Sequence, residues 1–192
     1  MQLKHINSLL LAIIIVINLY IIAAPFLPRL LFAVQNTEAV KVLEQEALTA
    51  PADNYESADA PANALIVPSM KLKEPIHEVA STRATRNDIW RRPNTSTPNK
   101  GGNTVLVGHR FTYANPTGVL YHLDKVTVGD TIALTWEGKR YIYKVASTQV
   151  VKATAIEVEA NTETPQLTLY SCTPLWNPKD RLVITAPLEA IL

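Results

Sequence analysis

Residues 9–27 read LLLAIIIVINLYIIAAPFL, nineteen positions without a charge, and Asn18 is the one strongly polar side chain among them. About 20 apolar residues in a helix span the hydrocarbon core of a bilayer. A secretory signal has a shorter apolar stretch of about 7–15 residues. Ala23 and Ala24 resemble a cleavage site, but Pro25 follows at once. The run is therefore expected to be an uncleaved, single-pass anchor. Lys4 and the terminal amine precede it, and Arg29 follows. Positive charge on the leading side favours a cytoplasmic N-terminus. Residues 1–8 would then be cytoplasmic, and everything after the span would be extracellular.

Beyond the span the charge is uneven. Residues 30–63 hold one Lys against six acidic residues, whereas residues 64–192 hold fifteen Lys or Arg against eleven acidic residues. The net charge of +1 provides no basic field for nucleic acid. Within 30–63, residues 32–48 carry helix formers and a weak apolar stripe, Val34, Val40, Leu43 and Leu48, so a juxtamembrane helix is expected there. Residues 51–62 (PADNYESADAPA) have no apolar period and read as a flexible acidic stalk. Residues 28–63 are thus a connector, and 64–192 the folded domain.

That domain is a series of short β-type runs punctuated by Pro and Gly. Apolar strands are expected at 65–67, 75–80 and 104–109, and a helix at 83–92, stopped by Pro93. A helical turn is expected around 119–123. Residues 131–136 and 140–146 flank Glu137-Gly138-Lys139 as a hairpin. Further β-rich stretches cover 149–158, 167–171 and 181–188. Seven or eight short strands, few helices and no repeat predict an all-β fold, a closed or nearly closed barrel.

The chemistry concentrates in residues 166–184, QLTLYSCTPLWNPKDRLVI. Two β-type runs flank a loop broken by Pro174 and Pro178. If the runs pair as antiparallel neighbours, Cys172 leaves one strand near where Arg181 enters the next. Cys172 is the only cysteine. In an exported chain it has no partner for a disulfide, so it is either a reactive thiol or a small buried hydrophobe. A thiolate nucleophile needs a nearby cation or base, and a developing oxyanion needs a donor. Three histidines are available to the domain: His77, His109 and His122. His77 and His122 both also read as ordinary surface or satisfied residues. His109 ends the most apolar run and follows Gly108, at the kind of strand-to-loop junction where functional groups gather. There is no second cysteine and no His–Glu set with zinc spacing, so no metal and no cofactor are expected. An exported cysteine hydrolase, an L,D-transpeptidase or a non-catalytic tethered β-domain would share these features. L,D-transpeptidases, however, place Gly before the cysteine and Arg two residues after it, where this chain has Ser171 and Pro174.

Four segments in order resemble the sortase family. Thr168-Leu169-Tyr170-Ser171-Cys172 is similar to the TLxTC signature, with Ser171 keeping the hydroxyl of the usual Thr. Arg181 heads an RLVI-like strand nine residues after the cysteine. Gly102-Asn103-Thr104-Val105, leading to Gly108-His109-Arg110, resembles GNxVxxGHR. Leu123-Asp124-Lys125 followed by Val128-Gly129-Asp130 resembles LDxLxxGD. The resemblance covers about 64–192 and implies a sortase-like closed eight-stranded β-barrel with short helices behind one transmembrane helix. It implies a cysteine transpeptidase with Cys172 as nucleophile, His109 as acid and base, and Arg181 as the stabilising cation. Thr168, Ser171, Tyr113 and Trp176 are expected to contact substrate. The implied substrates are surface proteins with a C-terminal LPxTG- or LAxTG-like sorting signal, and the acceptor is an amine of a peptidoglycan precursor. Cys172-Thr173-Pro174 and the segment HRFTY look most like class E, a housekeeping type.

Overall fold

The computed structural model describes residues 2–24, 26–27, 30, 32, 37–49, 63–78, 88–111 and 117–192. The expected stalk at 51–62 lies outside them, as does Tyr113. Among the described residues, helices α1 (Gln2–Ala23) and α2 (Thr37–Ala47) precede the sheet. Within α1, Lys4–Ala23 is a 20-residue stretch of mean hydropathy 2.5 with none of its apolar window buried in the protein. It is long and apolar enough to cross a membrane. The helix starts ahead of the expected span because the backbone ladder continues through polar Lys4 and His5.

Among the described residues nine strands follow: β1 (Ala64–Val67), β2 (Leu72–Glu78), β3 (Ile89–Arg91), β4 (Asn103–Gly108), β5 (Thr131–Trp136), β6 (Lys139–Lys144), β7 (Ser147–Lys152), β8 (Gln166–Thr173) and β9 (Asp180–Ile191). Their order is β6-β5-β1-β2-β3-β4-β8-β9, and β9 pairs back onto β6, which closes an eight-stranded ring. The ninth strand, β7, lies outside the ring against the first half of β9. The length of β9 permits both pairings. Residues 180–185 face β7, and 188–191 face β6.

The barrel interior is filled by apolar side chains, among them Leu65, Leu106, Leu134, Leu167, Leu169 and Ile184, each at most 1% exposed. The expected hairpin is β5–β6. Glu137 and Gly138 take φ of 48° and 77° between the paired residues Trp136 and Lys139. Two positive φ values in a two-residue loop match the right-handed twist of the flanking strands.

Two features depart from the sequence reading. The described part of the expected helix at 83–92 is strand β3 instead. Ile89 and Trp90 are buried, and β3 runs parallel to β2 and antiparallel to β4. Three residues between two ready strand edges gain ladder bonds and burial that an isolated helical turn lacks. Helix α2 is also more than a connector. Ala47 and Leu43 pack on Ile66, Ala133 and Ile142 of the barrel's outer face. The Glu46 carbonyl accepts from Arg140 at 3.0 Å, and its carboxylate meets Lys73 at 2.6 Å.

Candidate active site

Strands β8 and β9 are antiparallel neighbours, and Cys172 sits directly opposite Arg181 in their register. A cross-strand pair carries its side chains on one face of the sheet. Leu167, Leu169 and Ser171 alternate into the barrel, so Tyr170 and Cys172 point to the outer face. Strand β4 runs parallel to β8, with Val107 opposite Tyr170. His109 follows the end of β4. Its carbonyl accepts from Leu120 N–H at 2.9 Å. The neighbouring Gly108 is required by packing. A Cβ there would lie 2.7 Å from Val119 Cγ1 and 3.1 Å from Leu120 Cγ. The side chains of Val119 and Leu120 thus close on the backbone of Gly108.

Cys172, His109 and Arg181 all line one cleft of about 290 Å³. Its floor is the outer face of β3, β4 and β8, where Trp90, Val107 and Tyr170 cluster. The His109 ring lies 5.5 Å from that of Trp90 at 58°. One rim is the 3-10 turn Ile156–Glu159, which presents Ile156, 81% exposed. Glu159 fastens that turn. Its carboxylate accepts from Arg92 Nε at 2.9 Å and from the Tyr170 hydroxyl. Burial first, and then the bond to Glu159, raise the Tyr170 phenol above its ordinary pKa, against the opposing fields of Arg92 and Arg181.

Arg181 is half-buried, and its one hydrogen bond among the described residues runs from Nη1 to the Asp180 carbonyl at 3.0 Å. The Asp180 carboxylate is engaged by Lys152 at 3.2 Å. The Arg181 guanidinium therefore keeps most of its five donors for another group. Among the described residues, no cluster of His, Cys, Asp and Glu could hold a metal ion.

The other expected site residues are spread more widely. Ser171 lines the cleft, but its side chain is buried and its hydroxyl donates to the Gly108 carbonyl at 2.7 Å. Thr168 does not line it. Although it shares a face with Cys172, it is fully buried. Its hydroxyl donates to Asn103 Oδ1 at 2.8 Å, while Asn103 Nδ2 donates to the carbonyls of Val158 and Ala160. Trp176 is 51% exposed on the β8–β9 loop, away from the cleft, with its ring 5.9 Å from that of Phe26, just past α1. Tyr113 falls outside the described residues. Of the other histidines, His77 lies 3.9 Å from Asp88 on the surface, and His122 stacks on Phe32 at 4.0 Å. Sequence reasoning missed Trp90, Arg92, Tyr170 and Glu159 as cleft residues. Tyr170 was detectable, since it lies two positions from Cys172 and period two puts both on one face.

A comparison with known families matches residues 65–189 to the Sortase domain. The chain belongs to the sortase family. The sortase domain and fold match those of characterised sortase transpeptidases, so this sortase is a transpeptidase. Sortase A of Listeria monocytogenes aligns with a TM-score of 0.61 at 25% identity, over 69% of this chain and 90% of that one. Sortase E1 of Streptomyces coelicolor, solved with a tripeptide in its active site, aligns at 0.58 and 23%, over 68% and 89%. The sortase D5 transpeptidase of Clostridium perfringens aligns at 0.60 and 19%, over 80% and 97%. Relatives of classes A, C, D and E thus share one fold with this sortase at nearly equal similarity, and class E does not stand out. No curated protein sequence matches it.

Proposed function

We propose that this sortase is a membrane-anchored transpeptidase in which Cys172, His109 and Arg181 carry the reaction. Residues 64–192 are the catalytic unit, 9–27 the anchor and 28–63 the juxtamembrane helix and acidic stalk, with the catalytic unit on the extracellular side. The observation that carries the reading is the facing of Cys172 and Arg181 across β8 and β9, with His109 lining the same cleft.

The Cys172 thiolate attacks the carbonyl carbon of the scissile peptide bond, within an LPxTG- or LAxTG-like sorting signal, between Thr and Gly. The carbonyl electrons move onto oxygen, and the free Arg181 donors stabilise that oxyanion. Collapse of the tetrahedral centre expels the amine, which takes its proton from the His109 imidazolium. The remaining thioacyl-enzyme is attacked by an amine of a cell-wall precursor. His109 accepts a proton from that amine, the Cys172–acyl bond breaks, and a new amide forms. The peptide lies over the apolar floor of Trp90, Val107 and Tyr170.

The test mixes the full chain in detergent with LPxTG and LAxTG peptides and reads the intact mass. An acyl adduct that maps to Cys172, disappears on addition of an amine and is missing in Cys172→Ala is the expected result. Peptide cleavage that persists in Cys172→Ala would overturn the reading.

A further inference from the structure

Backbone pairing between β4 and β8 is in parallel register from Asn103 opposite Gln166 to Val107 opposite Tyr170. Continued by one step per residue, that register sets Gly108 against Ser171, His109 against Cys172 and Arg110 against Thr173. Side chains bridge the two flanking positions. Ser171 Oγ donates to the Gly108 carbonyl at 2.7 Å in a buried bond. Arg110 Nη1 donates to Thr173 Oγ1 at 3.2 Å. The pair in the middle, His109 and Cys172, lines the cleft.

Arg110 is built into this position. Its side chain is 4% exposed. Nε donates to the Tyr121 carbonyl at 3.1 Å, and Nη2 meets Asp124 Oδ1 at 2.5 Å. One planar fork thus joins three segments: the residue after His109, the turn that carries Asp124 and the residue after Cys172. The rigid guanidinium suits this task better than a flexible ammonium. A buried guanidinium without its partners is strongly unfavourable, so the fork resists displacement.

We infer that Arg110 and Ser171 are positioning residues that keep His109 in register with Cys172 beyond the end of the β4–β8 ladder. Neither touches the reacting atoms. They act by holding the two backbones on either side of the acid–base group and the nucleophile, where a misplacement of about 1 Å is worth up to about a hundredfold in rate. This assignment departs from the expectation that Ser171 binds substrate. It rests on the catalytic reading of Cys172 and His109.

The experiment compares Ser171→Ala, Ser171→Thr, Thr173→Val and Arg110→Lys in the full chain, with Cys172→Ala as reference. Thr173→Val removes the acceptor of the Arg110 fork and leaves the buried ion pair intact, so the test survives if Arg110→Lys does not fold. Peptide-transfer kcat and KM are measured beside the rate of Cys172 alkylation by iodoacetamide. Ser171→Ala and Thr173→Val are expected to lower kcat about tenfold or more. KM and alkylation should stay within about twofold, and Ser171→Thr should restore kcat. If kcat stays within twofold in both Ser171→Ala and Thr173→Val while Cys172→Ala is inactive, the positioning role is wrong and the catalytic reading stands. A rise in KM at constant kcat in Ser171→Ala also overturns it, by making Ser171 a substrate contact. Full activity in Cys172→Ala removes both.

Discussion

Thr168→Val separates a structural from a substrate-binding role for the first residue of the TLYSC segment. Valine has nearly the shape of threonine, so the change deletes one hydroxyl and little volume. That hydroxyl is fully buried and donates to Asn103 Oδ1 at 2.8 Å. Asn103 commits Nδ2 to the carbonyls of Val158 and Ala160, and its backbone N–H to Asn161 Oδ1 at 3.1 Å. It has no freedom to turn toward another donor. Removing one partner leaves a buried acceptor unpaired, a loss of about 1–3 kcal/mol. For a domain of this size about 1 kcal/mol corresponds to roughly 3–5 °C in Tm. The expected drop is therefore roughly 3–15 °C, followed by circular dichroism on heating. Well below the transition, kcat and KM for peptide transfer should stay within about twofold of the parent, because Thr168 does not line the cleft. An unchanged Tm together with a KM several-fold higher would refute the reasoning and return Thr168 to the substrate.

Arg181→Lys should lower kcat/KM by about a hundredfold or more, the usual effect of losing an oxyanion donor, with Tm nearly unchanged; near-normal transfer would remove Arg181 from the reaction. The raised pKa of Tyr170 has a consequence at high pH. Its neutral form is favoured in the folded state, so the contribution is complete below about pH 10 and is lost as pH climbs above it. Tm should therefore fall with pH between about 9.5 and 11, and less steeply in Tyr170→Phe; parallel slopes would count against it. A fragment starting at Thr37 should melt higher than one starting at Ala64, because the shorter one uncovers Ile66, Ala133 and Ile142. Equal melting temperatures would mean that α2 adds nothing to the barrel.

The opposition of Cys172 and Arg181 was legible because a short loop with two prolines leaves two β-type runs little choice but to pair with each other. The β5–β6 turn was legible because Glu137-Gly138 supplies the positive φ that such a loop demands. Strand β3 was not. Ile89-Trp90-Arg91 is too short to carry a period, and the edges of β2 and β4 decide its state. The docking of α2 was hidden for a related reason. Its buried stripe is narrow, little more than Leu43 and Ala47, and the matching surface comes from residues as distant as Ile142. Thr168 shows a limit of alternation. It shares the parity of Cys172 along β8, yet it is buried and bonded to Asn103, which is itself tied to the distant carbonyls of Val158 and Ala160. The Arg92–Glu159 bond spans 67 positions, a separation about which local pattern carries no information.

Ring closure through β9 also orders events in time. A chain made from its N-terminus supplies β1 to β6 first and leaves β6 with one unpaired edge until β9 arrives. The thiol enters on β8, and the guanidinium opposite it only on β9. During synthesis, then, Cys172 is made before the residue that faces it. The same final strand that seals the exposed edges, which are otherwise prone to pair with other chains, also brings the residue that faces Cys172. One strand, the last in the chain, thus both closes the barrel and supplies a wall of the cleft that holds Cys172.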